Sequence, residues 1–129
     1  MGRVNEEGTK MTLPLTPRVI EAAYEYLRAT EPFSAWHLPH ADDVEFAVTR
    51  HRDREGDHST YRGTTEHIIR VSSYHIKTTR TLLVCLAHEM IHAHMDRAKL
   101  NQRNDHGSQF KRLAARVCSV HGWEVEKFL

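Results

Sequence analysis

The stretch His88-Glu89-Met90-Ile91-His92 follows the pattern H-E-x-x-H in the middle of a longer segment at residues 78–99. That segment is apolar on nearly all sides through residues 82–87, which predicts a helix buried on most of its surface. Few helices at a protein surface have this composition. We therefore expect the other elements of the fold to pack around this helix.

The H-E-x-x-H pattern indicates a metal site. His88 and His92 are four residues apart, so they share one helical face and both imidazoles can reach one ion. Glu89 lies beside them and is able to hold a water molecule. Burying these polar side chains in an apolar helix is costly unless something satisfies them, and a metal ion would do so.

A third ligand has to come from outside the pattern, since a catalytic zinc site takes three protein ligands and keeps one open position. Asp96 lies one turn beyond His92, where a residue that orients a histidine is more usual. Asp105 resembles an N-cap of the last helix. His106, at the turn into that helix, is the third ligand that we favour. We therefore predict that His88, His92 and His106 bind Zn²⁺.

Two further helices flank this segment. A first helix is predicted at about residues 17–30, between a cap at Thr16 and the helix-breaking Pro32. A last helix is predicted from about residue 105 or 108 to Gly122, because apolar residues recur there at helical spacing.

Three strands are predicted between the first helix and the H-E-x-x-H helix. Alternating or β-branched residues mark them at residues 44–52, 58–62 and 66–72, with short turns between them. Short turns favour an antiparallel meander of about three strands. The order of elements therefore predicts an α+β domain, with this small sheet packed on the helices.

Chain length and net charge limit the number of domains and the kinds of partner that the protein can have. The chain has 129 residues, which suffices for one domain; we assign residues 1–13 to a flexible leader and 14–129 to that domain. The formal net charge is +1, so no overall basic field drives the protein onto nucleic acid. Any contact with DNA would have to be local.

The cysteines and the apolar runs bear on the compartment. Cys85 and Cys118 form no C-x-x-C motif or disulfide framework, which indicates a reducing, intracellular environment. The longest apolar run has six residues, whereas a membrane-spanning helix needs about 20. We therefore expect a cytoplasmic monomer, nuclear if the source is eukaryotic, with no membrane partner.

Two motifs together resemble a known family. The H-E-x-x-H stretch and the stretch His106-Gly107-Ser108-Gln109-Phe110, which matches an H-G-x-x-F element, are similar to those of the SprT-like zinc metallopeptidases. The resemblance covers about residues 17–122. It implies a zincin-like fold, zinc held by three histidines, and proteolysis. For the Spartan-like branch it also implies DNA-dependent cleavage of proteins crosslinked to DNA.

The function that follows is zinc-dependent hydrolysis of peptide bonds within proteins. Zinc would lower the pKa of a bound water toward about 7, and Glu89 would act as the general base that takes its proton. An edge strand at residues 68–73 would hold a protein or peptide substrate in extended form.

DNA, especially single-stranded DNA, is the second expected partner. Basic residues surround the first hairpin and the metal region, and Trp36 and Trp123 could stack on unpaired bases. An ordinary solvated face and tryptophans that cap the core are the alternative interpretation. The basic residues are Arg50, Arg52, Arg54, Arg97, Lys99, Arg103, Lys111, Arg112 and Arg116.

Two other functions stay open. In a non-catalytic module that binds protein or DNA, the same histidines would form a structural zinc site closed by a fourth ligand such as Cys85, Asp96 or Asp105. A metal-dependent nuclease with a similar histidine triad would have no use for Glu89. His94 is expected to be a structural histidine, because it points to the opposite helical face from His92.

Overall fold

Four α-helices and three β-strands make up the part of the chain that our computed structural model describes, residues 13–60, 66–99 and 106–128. Two short 3₁₀ turns, Phe33–Ala35 and Ala41–Asp43, precede the first strand. The architecture is α+β, as expected. Of the predicted leader, only residue 13 lies within the described residues. In chain order the elements are α1 (Pro17–Arg28), β1 (Val44–Thr49), β2 (Gly56–Thr60), β3 (His67–Ser72), α2 (Thr79–Arg97), α3 (Ser108–His121) and α4 (Val125–Phe128).

The three longer helices begin and end close to the predicted positions. Thr16 caps α1 by accepting the backbone N–H of Val19 at 3.2 Å, and Thr78 caps α2 in a reciprocal capping box with Thr81. Gly122, with φ of 77°, ends α3. The prediction of only two further helices is wrong by one, because α4 is a four-residue helix, too short to show a helical period.

The sheet is mixed. Its strand order is β1-β3-β2, with β1 parallel and β2 antiparallel to β3. The predicted antiparallel meander is therefore wrong, because a meander would have placed β2 in the middle. The reason lies in composition: β3 is buried on both faces except at Arg70, whereas β2 is polar and half-buried. The strand that can bury both of its faces takes the central position.

Because β3 is the central strand, the prediction that residues 68–73 form an edge strand for substrate binding is wrong. Residues 68–73 do not form an edge, because β3 pairs with β1 on one side and with β2 on the other. Within the described residues β2 pairs only with β3, so β2 provides an edge of the sheet. Of the predicted second strand, residues 61 and 62 lie outside the described residues, as does the turn at residues 63 and 64.

Helix α2 is the centre of the packing. It contacts the sheet through β2 and β3, and it also contacts α1, α3 and α4. Its buried side chains include Leu82, Leu86, Met90 and Ile91, all at most 1% exposed, and full burial of such a side chain is worth about 1.5–3 kcal/mol. The prediction of a helix buried on most sides is confirmed. No helix in the described ranges is long and apolar enough to cross a bilayer.

Gly56 sets the distance between β2 and α2. A Cβ atom at this position would lie 2.7 Å from the Sγ of Cys85 and 2.8 Å from the carbonyl oxygen of Arg70. It would also lie 3.7 Å from the Cγ of Glu89. The strand therefore approaches the H-E-x-x-H helix this closely because residue 56 carries no side chain.

We expect Gly56→Ala to destabilise the protein by about 1–3 kcal/mol, because the new methyl group has to displace backbone as well as the cysteine side chain. Urea denaturation of the purified protein measures this. Adding Cys85→Ala removes the contact with Sγ but leaves the contact with the Arg70 carbonyl, so the double variant should recover only part of the loss. An unchanged unfolding midpoint in Gly56→Ala would contradict the close approach.

Candidate metal centre

Three histidines converge on one point. His88 and His92 lie one turn apart on α2, and His106 lies two residues before α3 begins. The Nε2 atom of His106 is 3.1 Å from that of His88 and 3.2 Å from that of His92. All three side chains offer a ligand atom within 4.8 Å of the others. The structure thus brings together the three residues that the sequence predicted as ligands.

The spacing of these nitrogens fits a metal ion. Around a tetrahedral zinc with Zn–N bonds of about 2.0–2.1 Å, neighbouring ligand nitrogens lie about 3.3–3.4 Å apart. Burial, together with nearby imidazoles, lowers the pKa of His92 to about 3, and burial lowers the pKa of His88 to about 4. Both are therefore neutral near pH 7 and can present lone pairs, as metal ligands must. A set of three imidazole side chains suits zinc.

The carbonyl of Phe128 orients His88. The Nδ1 of His88 lies 3.3 Å from this oxygen and donates its proton to it, which leaves the Nε2 lone pair directed at the other two histidines. Phe128 is buried at the end of α4, and its ring centroid lies 5.7 Å from that of His88. Sequence reasoning missed this contact. A backbone carbonyl belongs to every residue, so no motif marks it.

Phe110 packs against the rings of all three histidines. Its ring centroid lies 4.9 Å from that of His88, 4.7 Å from that of His92 and 4.8 Å from that of His106. Phe110 is the third residue of α3 and is fully buried. The aromatic residue of the H-G-x-x-F element thus forms an apolar floor under the cluster and restricts the positions of the imidazoles.

Glu89 lies next to the cluster and is 6% exposed. Burial, and secondarily the charge of Asp57, raises the pKa of its carboxyl to about 8. In the absence of a nearby cation this carboxyl therefore holds a proton at neutral pH, whereas a bound cation would favour its ionised form. A carboxyl whose charge depends on a neighbouring ion in this way suits proton transfer.

Two adjoining cavities give access to the cluster, and we call them together the cleft. The first has a volume of about 520 Å³ and extends along β2 toward Asp96; the second has about 570 Å³ and extends toward Phe128. Four residues line both cavities, so the cleft passes the metal cluster with β2 along one side. These four residues are Gly56, His88, Glu89 and His106.

The other ligand candidates do not join the cluster. Within the described residues, the group able to hold a metal consists of the three histidines alone. Asp96 and Cys85 line the cleft but lie outside that group, and Asp105 lies outside the described residues. Among the described residues, neither Asp96 nor Cys85 therefore adds a fourth ligand to the three histidines.

The two tryptophans that were candidates for stacking on DNA bases each stack on a histidine instead. His94 stacks on Trp36 with ring centroids 4.2 Å apart, and His121 stacks on Trp123 at 4.8 Å. Both tryptophans also pack against the hydrophobic core. These contacts favour the core-capping interpretation of the tryptophans over base stacking.

The basic residues that were predicted around a first hairpin lie in the exposed connection between β1 and β2, two strands that do not pair with each other. Arg50, Arg52 and Arg54 are all exposed there, and the guanidinium of Arg52 lies 5.0 Å from the ring centre of Tyr74. Arg97 instead donates to the carbonyl of His37. Arg103 lies outside the described residues.

The chain matches the model of a known protein family. The model of the SprT-like family matches residues 23–127, a range that contains the three histidines, Glu89 and the whole sheet. No curated protein matches the chain. The family match covers most of the chain.

Proposed function

The chain belongs to the SprT-like family, and from this premise we propose that it is a zinc-dependent endopeptidase. In this proposal His88, His92 and His106 hold Zn²⁺ and Glu89 is the general base. The observation that carries it is the convergence of three Nε2 atoms beside a buried carboxyl in an open cleft. A structural zinc site would instead have a fourth protein ligand.

The chemistry that zinc supplies in such a site is acidification of a water molecule and polarisation of a carbonyl group. Glu89 accepts a proton from the attacking water and passes it to the nitrogen of the leaving amine. The C–N bond of the peptide breaks, and the oxygen of the water remains on the carbonyl carbon. Burial of Glu89 keeps competing water away from this proton transfer.

The proposed fold is zincin-like, with the H-E-x-x-H helix lying beneath an edge strand. Strand β2 occupies that place, since residues 56–60 line the cleft together with Glu89 and the three histidines. An extended peptide can hydrogen-bond to the backbone at the edge of β2 that β3 does not use. This accounts for a protein or peptide substrate bound across the metal.

We also propose that DNA, especially single-stranded DNA, brings the substrate to the cleft, so that proteins bound or crosslinked to DNA are cleaved. Arg54 lines the cleft from the β1–β2 connection, which also carries the exposed Arg50 and Arg52. Beside them Tyr74 is 49% exposed and can stack on a base. Both cysteines are free and buried, which fits a reducing compartment, so we also propose that the protein acts inside the cell. We propose in addition that it acts as a monomer.

The test is cleavage of a DNA-binding protein by the zinc-loaded protein, with and without single-stranded DNA, and again after zinc is removed with a chelator. We expect cleavage that needs zinc, is faster with DNA and is restored when zinc is added back. Fragments are followed by electrophoresis and mass spectrometry. Absence of cleavage under every condition, with zinc bound, would instead support a non-catalytic zinc module. Equal rates with and without DNA would refute the role of DNA and leave the peptidase proposal intact.

A further inference from the structure

A second pair of histidines lies on the strand side of the cleft. His58 is the third residue of β2, so its side chain is on the same face of the strand as Gly56. That face meets α2, as the close approach of Gly56 to Cys85 and Glu89 shows. His58 accordingly lines the 520 Å³ cavity together with Glu89 and the three metal-binding histidines.

His67 holds the ring of His58. The Nε2 of His58 is 2.8 Å from the Nδ1 of His67, and the two rings stack with centroids 5.0 Å apart. His67 is 3% exposed in β3, where the next residues on the same face are Ile69 and Val71. An apolar side chain at position 67 would avoid the desolvation of a buried imidazole. Packing alone therefore does not explain this pair.

Both histidines of the pair are uncharged at neutral pH. One ring nitrogen of His58 is available to hydrogen-bond a substrate. Burial, reinforced by His67, lowers the pKa of His58 to about 4, while Asp96 and Asp57 act in the opposite direction. Burial likewise lowers the pKa of His67, against Asp96. Because Nε2 of His58 bonds to His67, its Nδ1 is the remaining donor or acceptor. In the described part of the chain this Nδ1 makes no hydrogen bond.

We propose that His58 is a further catalytic residue of the cleft, which hydrogen-bonds the scissile peptide group through Nδ1, and that His67 is the residue that positions its ring. This inference rests on the proposed peptidase function. A substrate strand along β2 lies next to side chains that β2 itself presents to the cleft. His58 is such a side chain, on the wall that also faces Glu89.

Other polar residues near the strand ends fit this role less well. Tyr74 and His75 lie two and three residues after the end of β3, but they line neither cavity of the cleft. Tyr74 instead contacts Arg52, and His75 bonds to the carbonyl of the same residue at 2.8 Å. The ring of His58 is both fixed by a buried partner and placed in the cavity of the general base.

The test compares His58→Phe, which keeps a ring but removes both nitrogens, with the wild-type protein. We expect kcat/KM to fall by about 100-fold, mainly through kcat, with zinc content unchanged. His67→Leu should lower kcat by a smaller factor, and His67→Gln, which can still hydrogen-bond to His58, should recover part of it. The matched control is His40→Phe, at a histidine whose side chain is 60% exposed; its kcat should equal that of the wild type. His58→Gln replaces His58→Phe if the latter unfolds.

A binding measurement separates this inference from the proposed function. A phosphinic peptide, whose tetrahedral phosphorus imitates the reacting carbonyl, is titrated by calorimetry into each zinc-loaded protein. We expect His58→Phe to bind it about 100-fold more weakly than the wild type. Equal affinity, or a wild-type kcat/KM in His58→Phe, would overturn the role of His58 while leaving the peptidase proposal intact. If the wild type cleaves nothing, the peptidase proposal fails, and the calorimetry still decides whether His58 contacts a bound peptide.

Discussion

Glu89→Gln is expected to lower kcat for peptide cleavage by about 10²–10⁴-fold while zinc stays bound. Glutamine matches glutamate in size but cannot accept the proton of the attacking water. Glu89 lines the cleft beside the three histidines without belonging to the group that could hold a metal ion. The substitution should therefore remove the proton acceptor and leave the ligands in place. Steady-state kinetics on samples of measured zinc content test this.

The matched control is Glu21→Gln, at an exposed glutamate of α1. It should cleave substrate at the wild-type rate. A wild-type kcat in Glu89→Gln would show that Glu89 is not the general base of peptide cleavage. Loss of zinc from Glu89→Gln would show that Glu89 acts as a ligand.

The same variant has a second readout in the metal-free protein. Burial and Asp57 raise the pKa of Glu89 from its ordinary value of 4.5 to about 8, so the folded state keeps a proton that the unfolded chain releases between these values. Ionisation of Glu89 in the unfolded chain therefore lowers the free energy of unfolding as pH rises through this window. Glutamine does not ionise. We expect the difference in unfolding free energy between Glu89→Gln and wild type to grow in favour of the variant from pH 5 to pH 8 in chelator.

The three predicted ligands were accessible from sequence because metal binding requires particular residue types at particular spacings. His88 and His92 are one helical turn apart, and His106 stands in a second short motif. The prediction of the ligands from these patterns does not depend on a correct prediction of the surrounding fold. The long buried helix was equally accessible, since its apolar residues cover more than one face.

The order of the strands was not recovered, because it depends on competition between strands for burial. Short connections favoured pairing of β1 with β2, but β3 buries Ile68, Ile69 and Val71 on its two faces and takes the place between them. Desolvation of a polar strand such as β2 in the centre would have cost more than the longer connection from β1 to β3. Comparing the burial of both faces, and not only loop lengths, would have given the observed order.

The contacts that orient side chains in the cleft were also out of reach. The bond from His88 to the Phe128 carbonyl depends on where α4 docks, and a backbone atom has no sequence signature. The pairing of His58 with His67 depends on the register of β2 against β3, which places Thr60 opposite His67 and His58 opposite Ile69. The two histidines are therefore diagonal neighbours on one face. Without that register, each is only one of 11 histidines.

His106→Ala is expected to weaken zinc binding by more than the roughly 10–100-fold that loss of a residue supporting a ligand costs, because it removes a ligand itself. His106 is the best of the three positions for this test. His88 and His92 are half-buried on α2, whereas His106 is exposed and lies outside the helices. Its removal should thus alter the metal site with little effect on the metal-free fold. Competition with a chromophoric chelator measures the change in affinity.

The thermodynamic consequence of this loss is large. Zinc at 1,000 times its dissociation constant stabilises the folded state by about 4.1 kcal/mol if it binds only that state. At the same zinc concentration His106→Ala should lose most of this stabilisation, while its unfolding free energy in chelator should stay close to that of the wild type. His51→Ala, at an exposed histidine of the β1–β2 connection, is the control and should keep the full effect of zinc. Unchanged zinc affinity in His106→Ala would mean that the metal is held by another set of residues, and the observed Nε2 distances would then need a different cause.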